Sequence, residues 1–245
     1  MALKKVGWFI DENIPATFIF PEPKPVKNSR ELPLSNRAVQ ACPAVNFLER
    51  RYFQVNFPFD IGLSYEYVNG SHNLLVINEK TRIDDDLINR FVVLMEPKFW
   101  RDKNYPTLQL KCPYVFISDD EIYMTQLPPF LSYKYNQLPG TVVAGRFPIN
   151  IWPRVLSYGF EWVDKKKDLI FKKGDPWFYV FFETSNPEDS IQMVQADNTP
   201  ELKEYRRGLS EVVKFTSNSF GLFETAKERR PSKLLKEKER VNNEK

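Results

Sequence analysis

Proline is the residue that most limits what this chain can fold into. It occurs nineteen times in 245 residues, against nine glycines. Each proline removes a backbone donor and fixes φ, so it breaks helix interiors and central strands but suits turns and strand edges. Between the prolines lie twenty Phe, eleven Tyr and five Trp, side chains that fit pleated, half-buried surfaces. Short strands joined by stiff turns follow from that pairing, and a largely helical fold does not. The length suits one large all-β domain or two small ones, and 42% hydrophobic residues supply a substantial core.

The hydrophobic pattern fills in the strands. Val6 to Ile10, Ala16 to Phe20, Phe53 to Phe57, Ile61 to Val68 and Leu74 to Ile77 read as extended, and Asn69-Gly70 is a hairpin turn because both residues accept positive φ. Thr107 to Lys111 alternates cleanly, and Tyr114 to Ile117 and Ile122 to Thr125 flank the acidic turn Ser118-Asp119-Asp120-Glu121 as a second expected hairpin. Further strands are expected at Val142 to Ala144, Phe147 to Ile151, Leu156 to Val163, Leu169 to Phe171, Trp177 to Glu183 and Ile191 to Val194. The run Trp177 to Phe182 is apolar on both faces, the signature of a central strand covered on each side. A Pro-rich arm occupies about residues 21–35, and a short helix is expected within Val39 to Tyr52. Asp84-Asp85-Asp86 before Leu87 and Ile88 suits a capped helix start or a turn.

After residue 198 the pattern changes to a helix. Asn198-Thr199-Pro200-Glu201 is a helix start, and Leu202, Tyr205, Leu209 and Val212 form one apolar stripe. The expected division is therefore a β-rich domain over 1–198, a helix packed on it over 199–225, and a charged tail over 226–245. That tail carries eight Lys or Arg against four Glu, a net of +4 that leaves residues 1–225 at −1. Leu234, Leu235 and Val241 are too few for a core of their own, so the tail reads as a solvated helix or a segment that orders on a partner.

The inventory of chemistry is short. One histidine, His72, cannot supply the two-histidine iron site that a double-stranded β-helix often carries. It follows the Asn69-Gly70 turn and reads as an exposed hairpin residue. Cys42, Cys112 and His72 lack the close pairing of zinc ligands. No nucleophile elbow and no glycine-rich phosphate loop is present. The acidic clusters Asp84 to Asp86 and Asp119 to Glu121 read as solvated turns rather than cation sites. Lys172-Lys173-Gly174-Asp175-Pro176 reads first as a tight turn, and second as a presentation of Lys172, Lys173 and Asp175 to an anionic ligand. Tyr133 and Tyr135 beside Lys134 suit base stacking, with core packing the commoner use. In the tail, Arg229, Arg230 and Lys233 are the candidate partner contacts. No cofactor and no metal is implied. The opening residues, Met1 to Asn13, hold no apolar stretch long enough for a signal peptide, so a cytosolic origin is expected.

Ile14-Pro15-Ala16-Thr17, Cys42-Pro43-Ala44, Phe57-Pro58-Phe59-Asp60, Trp152-Pro153-Arg154 and Lys172-Lys173-Gly174-Asp175-Pro176 occur in an order that resembles uncharacterised proteins of marine tailed bacteriophages, chiefly those of cyanobacteria. That resemblance implies a viral protein, in the cytoplasm of an infected bacterium or in the virion. It brings no activity and no site residues with it. The fold class expected is mainly β, a single-domain sandwich or jelly roll, cupin-like arrangements included, with a C-terminal helix. The function expected is a non-enzymatic virion or assembly component, or a factor that binds a host protein. The alternatives are a jelly-roll small-molecule binder or enzyme without a histidine metal site, and nucleic-acid binding through the tail. A protein partner is expected, and a membrane is not.

Overall fold

Two strands that are apolar on both faces organise the structure: the expected Trp177 run, and a single strand that joins the two expected at Thr107–Lys111 and Tyr114–Ile117. The hairpin expected of Tyr114–Ile117 with Ile122–Thr125 does not form, because these segments enter different sheets. A computed structural model describes residues 2–12, 19–26, 42–45, 51–215 and 219–239. The strand expected over residues 16–20 falls mostly outside these, as do most of the Pro-rich arm (21–35), most of the helix expected over 39–52, and the last residues of the tail.

The first sheet has the order β14 (Ser190–Gln195), β1 (Leu3–Ile10), β7 (Thr107–Ile117), β11 (Val155–Trp162) and β9 (Gly140–Val142), with β6 (Val92–Leu94) also paired to β7. Its β1–β14 contact is parallel, while its other pairings are antiparallel. The second sheet runs β10 (Gly145–Pro148), β8 (Ile122–Leu127), β13 (Pro176–Thr184), β3 (Tyr52–Asn56) and β2 (Lys24–Pro25). A third, smaller sheet runs β12 (Leu169–Phe171), β4 (Ile61–Val68) and β5 (Ser71–Val76). The fold is mainly β with helix at its C-terminal end, as the proline and aromatic content requires.

The principal core lies among these sheets and is aromatic. Phe57 and Phe171 stack at 4.4 Å, and Trp177 meets Phe57 at 5.0 Å and Tyr158 at 5.2 Å. The register of β13 against β3 slips between Pro176 and Phe178. This bulge surrounds Trp177, which is fully buried in the principal core with its neighbour Phe178. The other face of β13 is also covered, since Tyr179 is 2% exposed and packs against Tyr52 and Phe130. The expectation of a central strand with two covered faces holds.

Strand β7 shows the same property more strongly. Cys112, Tyr114 and Phe116 belong to the principal core, while Val115 and Ile117 belong to a second core on the opposite face. Pro113 sits where β7 slips against β11, between the pairs Leu156↔Cys112 and Val155↔Val115. A residue without an N–H is tolerated in an inner strand at such a bulge. Glu161 on β11 is 2% exposed, and Arg101 donates to it through Nε at 2.7 Å, which satisfies the buried charge.

Helices α2 (Pro200–Phe215) and α3 (Ser219–Arg229) follow β14 and provide the cover for the second core; a shorter helix, α1 (Asp85–Phe91), precedes β6. As the sequence predicts, Thr199 Oγ1 accepts from the Leu202 N–H at 3.2 Å, and Leu202, Tyr205 and Leu209 are buried. Val212 lies outside the described side chains. Arg206 pairs with Asp11 at the end of β1, and Lys203 reaches Glu12 at 2.8 Å.

The tail departs from its expected form. Helix α3 carries through to Arg229, so residues 226–229 are helical and Ala226 is fully buried. Leu234 and Leu235 are 2% and 7% exposed. They join Phe9, Val115, Ile117 and Ala196 in the second core. Counting apolar residues along the tail misjudged them, because the first sheet supplies the rest of that core. The segment then lies along the end of β14, with Lys238 N donating to Gln195 O at 2.9 Å and Asp197 N to Lys236 O at 2.8 Å. Gly7 makes room for it: a Cβ there would lie 2.9 Å from Ala196 Cβ and 3.3 Å from Leu235 Cδ1.

Two expected outcomes follow. Leu235→Ala is expected to destabilise the protein by about 2–4 kcal/mol, the range for a buried leucine, as read by urea unfolding; a change under about 0.5 kcal/mol would mean that the segment is not held there. Tyr158 is fully buried and its hydroxyl has no hydrogen-bond partner among the described residues. Tyr158→Phe is therefore expected to be neutral or to stabilise by about 1 kcal/mol, whereas a clear loss of stability would show that the hydroxyl is bonded.

Candidate functional site

The turn Lys172-Lys173-Gly174-Asp175 carries the chain from the third sheet to the second. Asp175 N donates to Lys172 O at 3.0 Å, and Gly174 has φ +88, the conformation that the third residue of a type II turn needs. The turn is anchored on both sides. Asp175 Oδ2 accepts from the Lys172 N–H at 3.1 Å, and Asp60 Oδ1 accepts from the Lys173 N–H at 2.7 Å. The structural reading of this motif is therefore correct, and Asp175 is one of its braces.

The same turn forms one wall of an open cleft of ≈ 630 Å³. Lys134, Tyr135, Gln137 and Leu138 from the β8–β9 connection form a second wall, and Lys167 and Asp168 before β12 a third. Lys134 is paired with Asp175 at 2.5 Å, and Asp168 with Lys80 at 3.4 Å. Lys167 and Lys172 have no ion-pair partner among the described residues. The cleft thus carries two uncompensated ammonium groups beside two exposed-to-half-buried ion pairs, over a floor that includes Ile170 and Phe171. Lys173 shares the turn but is not among the residues that line the cleft.

The tail candidates do not join this site. Arg229 is exposed and lines a separate groove of ≈ 410 Å³ with Glu201, Glu204 and Tyr205 of α2. Arg230 is a structural clamp: its Nε donates to Asn150 O at 2.6 Å, and Nη2 lies 3.5 Å from Asp119 Oδ1. Lys233 is exposed. Asp119 also accepts from the N–H groups of Leu234 and Leu235, at 2.6 and 3.3 Å. The acidic turn is exposed at Asp119 and Glu121, as expected, and Asp119 is also the socket that holds the C-terminal segment. The sequence marks Lys134 only as a neighbour of the base-stacking candidates Tyr133 and Tyr135 and does not mark Lys167; the pairing that groups Lys134 with Asp175 spans 41 positions in sequence.

The remaining candidates fall into structural roles. His72 is half-buried on β5, with Nδ1 2.5 Å from Tyr65 Oη and its ring 4.6 Å from Tyr67 and 4.8 Å from Trp100, so it is more enclosed than a hairpin tip implies. Asp84 caps α1 by accepting from the Leu87 N–H at 2.7 Å. Tyr133 is 89% exposed, while Tyr135 turns inward to Thr141 Oγ1 at 2.6 Å. The two tyrosines therefore do not form one stacking platform. Cys112 lies in the principal core and Cys42 at the surface. No group of three His, Cys, Asp or Glu among the described residues is placed to hold a metal ion. Among those residues no helix is long and apolar enough to cross a membrane.

No protein-family model matches the chain, and no curated protein is significantly similar to it.

The cysteines give a direct check on this geometry. Burial pushes the Cys112 thiol far above its ordinary range, whereas backbone N–H groups of Val45 and Ala44 lower that of exposed Cys42. In the native protein one thiol is expected to react with Ellman's reagent, and the second is expected only on unfolding. Two fast thiols would contradict the buried position of Cys112.

Proposed function

We propose that this chain is a non-enzymatic binding protein, and that the lysine-lined cleft is where an acidic segment of a partner protein docks. The observation that carries this reading is the placement of Lys167 and Lys172, both without an ion-pair partner among the described residues, in an open groove with an apolar floor. An extended segment bearing Asp or Glu fits that combination, since carboxylates meet the ammonium groups and neighbouring apolar side chains meet Ile170 and Phe171. The resemblance of its short-motif order to that of phage proteins supports a viral setting, with the partner either a host protein or another virion component. The packing of Phe57, Phe171, Trp177 and Tyr158 between the sheets favours this surface site over a ligand held inside the sandwich. The pairing of Lys5 with Glu237 and the clamp on Arg230 likewise favour the cleft over the tail as the basic contact surface.

The test is the double variant Lys167→Glu, Lys172→Glu compared with wild type. Wild-type protein is expected to bind a Glu/Asp-rich peptide in a salt-sensitive way and to retain one partner from an infected-cell lysate. The variant is expected to lose at least about tenfold in peptide affinity and to lose that partner, with its unfolding midpoint unchanged. Equal peptide binding by both proteins, or a preference for a single-stranded oligonucleotide over the peptide, would overturn the reading.

A further inference from the structure

The β4–β5 hairpin leaves one edge of the third sheet open. Its turn, Asn69-Gly70, has φ +53 and +80, the two-residue type I′ geometry. Val68 pairs with Ser71 across that turn, and the register then runs Tyr67↔His72, Glu66↔Asn73, Tyr65↔Leu74, Ser64↔Leu75 and Leu63↔Val76. In a two-residue hairpin the pair next to the turn exchanges both hydrogen bonds, and such pairs alternate. Ser71, Asn73 and Leu75 therefore bond to β4. The Ile77 N–H, which donates to Gly62 O at 2.9 Å, continues the alternation. The backbone N–H and C=O groups of His72, Leu74 and Val76 point away from β4, along an edge with no strand partner among the described residues.

Exposed edges in native sheets are normally defended by proline, by charge, by brevity or by a covering segment. Most of the other edges follow that rule. β2 is two residues long and contains Pro25, β9 and β12 are three residues each, and β10 ends at Pro148. Strand β14 is also free of Pro and charge, and the C-terminal segment covers only its end, at Gln195 and Ala196, but its apolar side chains are half-buried. Strand β5, Ser-His-Asn-Leu-Leu-Val, has six residues without Pro, Lys, Arg, Asp or Glu. Its hairpin also exposes Tyr67, Val68 and Leu75, at 61%, 48% and 42%.

We infer that β5 is a docking edge for a second copy of this chain, paired antiparallel about a two-fold axis at Leu74. Three outward-facing residues at spacing two are self-complementary. His72 pairs with Val76 of the second copy, Leu74 with Leu74, and Val76 with His72, each exchanging two hydrogen bonds. A two-fold axis sets the side chains nearest it beside their own duplicates, so a strand charged there would repel itself. The charge-free β5 does not. The same axis brings Leu75 diagonally towards the Leu75 of the second copy and sets each hairpin tip, with Tyr67 and Val68, beside the second copy's Asn78–Lys80 turn. The two third sheets become one continuous sheet of six strands, and apolar side chains now in solvent are covered.

Sedimentation velocity on the full chain tests this up to ~1 mM, the weak end of measurable association. Wild type is expected to reach the dimer mass. Leu75→Lys and Leu75→Glu, substitutions at a partly exposed position, are each expected to stay monomeric, and an equimolar mixture of the two is expected to recover the dimer. Independently of any variant, the His72, Leu74 and Val76 amides should exchange more slowly as protein concentration rises. A wild type that remains monomeric throughout the range overturns the inference and leaves the edge to a foreign strand. A dimer that persists in both single variants also overturns it, because the contact then lies elsewhere.

Discussion

The structure depends on strand β7 being buried on both faces. From Cys112 to Ile117 its side chains alternate between two cores: Cys112, Tyr114 and Phe116 inside the sandwich, Val115 and Ile117 under the helices. An antiparallel sheet can leave one face to water, and its strands then alternate in polarity. Here the outer face is apolar, so it requires a covering layer. Helix α2, helix α3 and the segment through Leu235 are that layer. The rest of the second core, including Phe9 on β1 and Ala196 after β14, lies on strands that reach β7 directly or through β1.

This explains which parts of the fold were legible in the sequence. The double-faced run of Trp177 to Phe182, the Asn69-Gly70 turn and the Thr199-Pro200 helix start each encode their structure locally, through side-chain period, positive φ or capping chemistry. The role of Leu234 and Leu235 is not local. Two leucines among lysines and glutamates look solvated until the surface they meet is known, and that surface is assembled from residues 9, 115, 117 and 196. Asp119 was obscured for the same reason. An acid in a turn is ordinarily solvated, and its acceptance of two N–H groups from residues 234 and 235 depends on a contact over more than a hundred positions.

The candidate site was half legible. Lys172 and Asp175 were recognisable as a charged turn, and the turn is where the cleft begins. Asp175 is primarily a brace, tied to the Lys172 backbone and to Lys134, so its carboxylate organises the wall more than it offers a contact. The basic groups left over, Lys167 and Lys172, come from either end of β12, a strand of three residues. A strand that short fixes how far apart their backbones stand, while the flexible stems leave the ammonium groups free to follow a ligand. The tail arginines show the reverse outcome: Arg230, attractive as a free cation, is spent on Asn150 and Asp119.

The pairing of β1 with β14 has a consequence for how the chain acquires this structure. Leu3 sits opposite Ser190 and Trp8 opposite Gln195 in parallel register, so each residue from Leu3 to Trp8 waits for a partner made 187 positions later. At about 5–20 residues per second, a ribosome separates the two by roughly ten to forty seconds. During that interval Val6, Trp8, Phe9 and Ile10 can pair with β7 once it emerges, but their other edge stays open. The ladder that closes it joins residues with very large sequence separation, which places its formation late in folding. Until residues 190–195 emerge, the nascent chain therefore presents one apolar, unpaired edge of β1 to its surroundings, the kind of edge that chaperones shield.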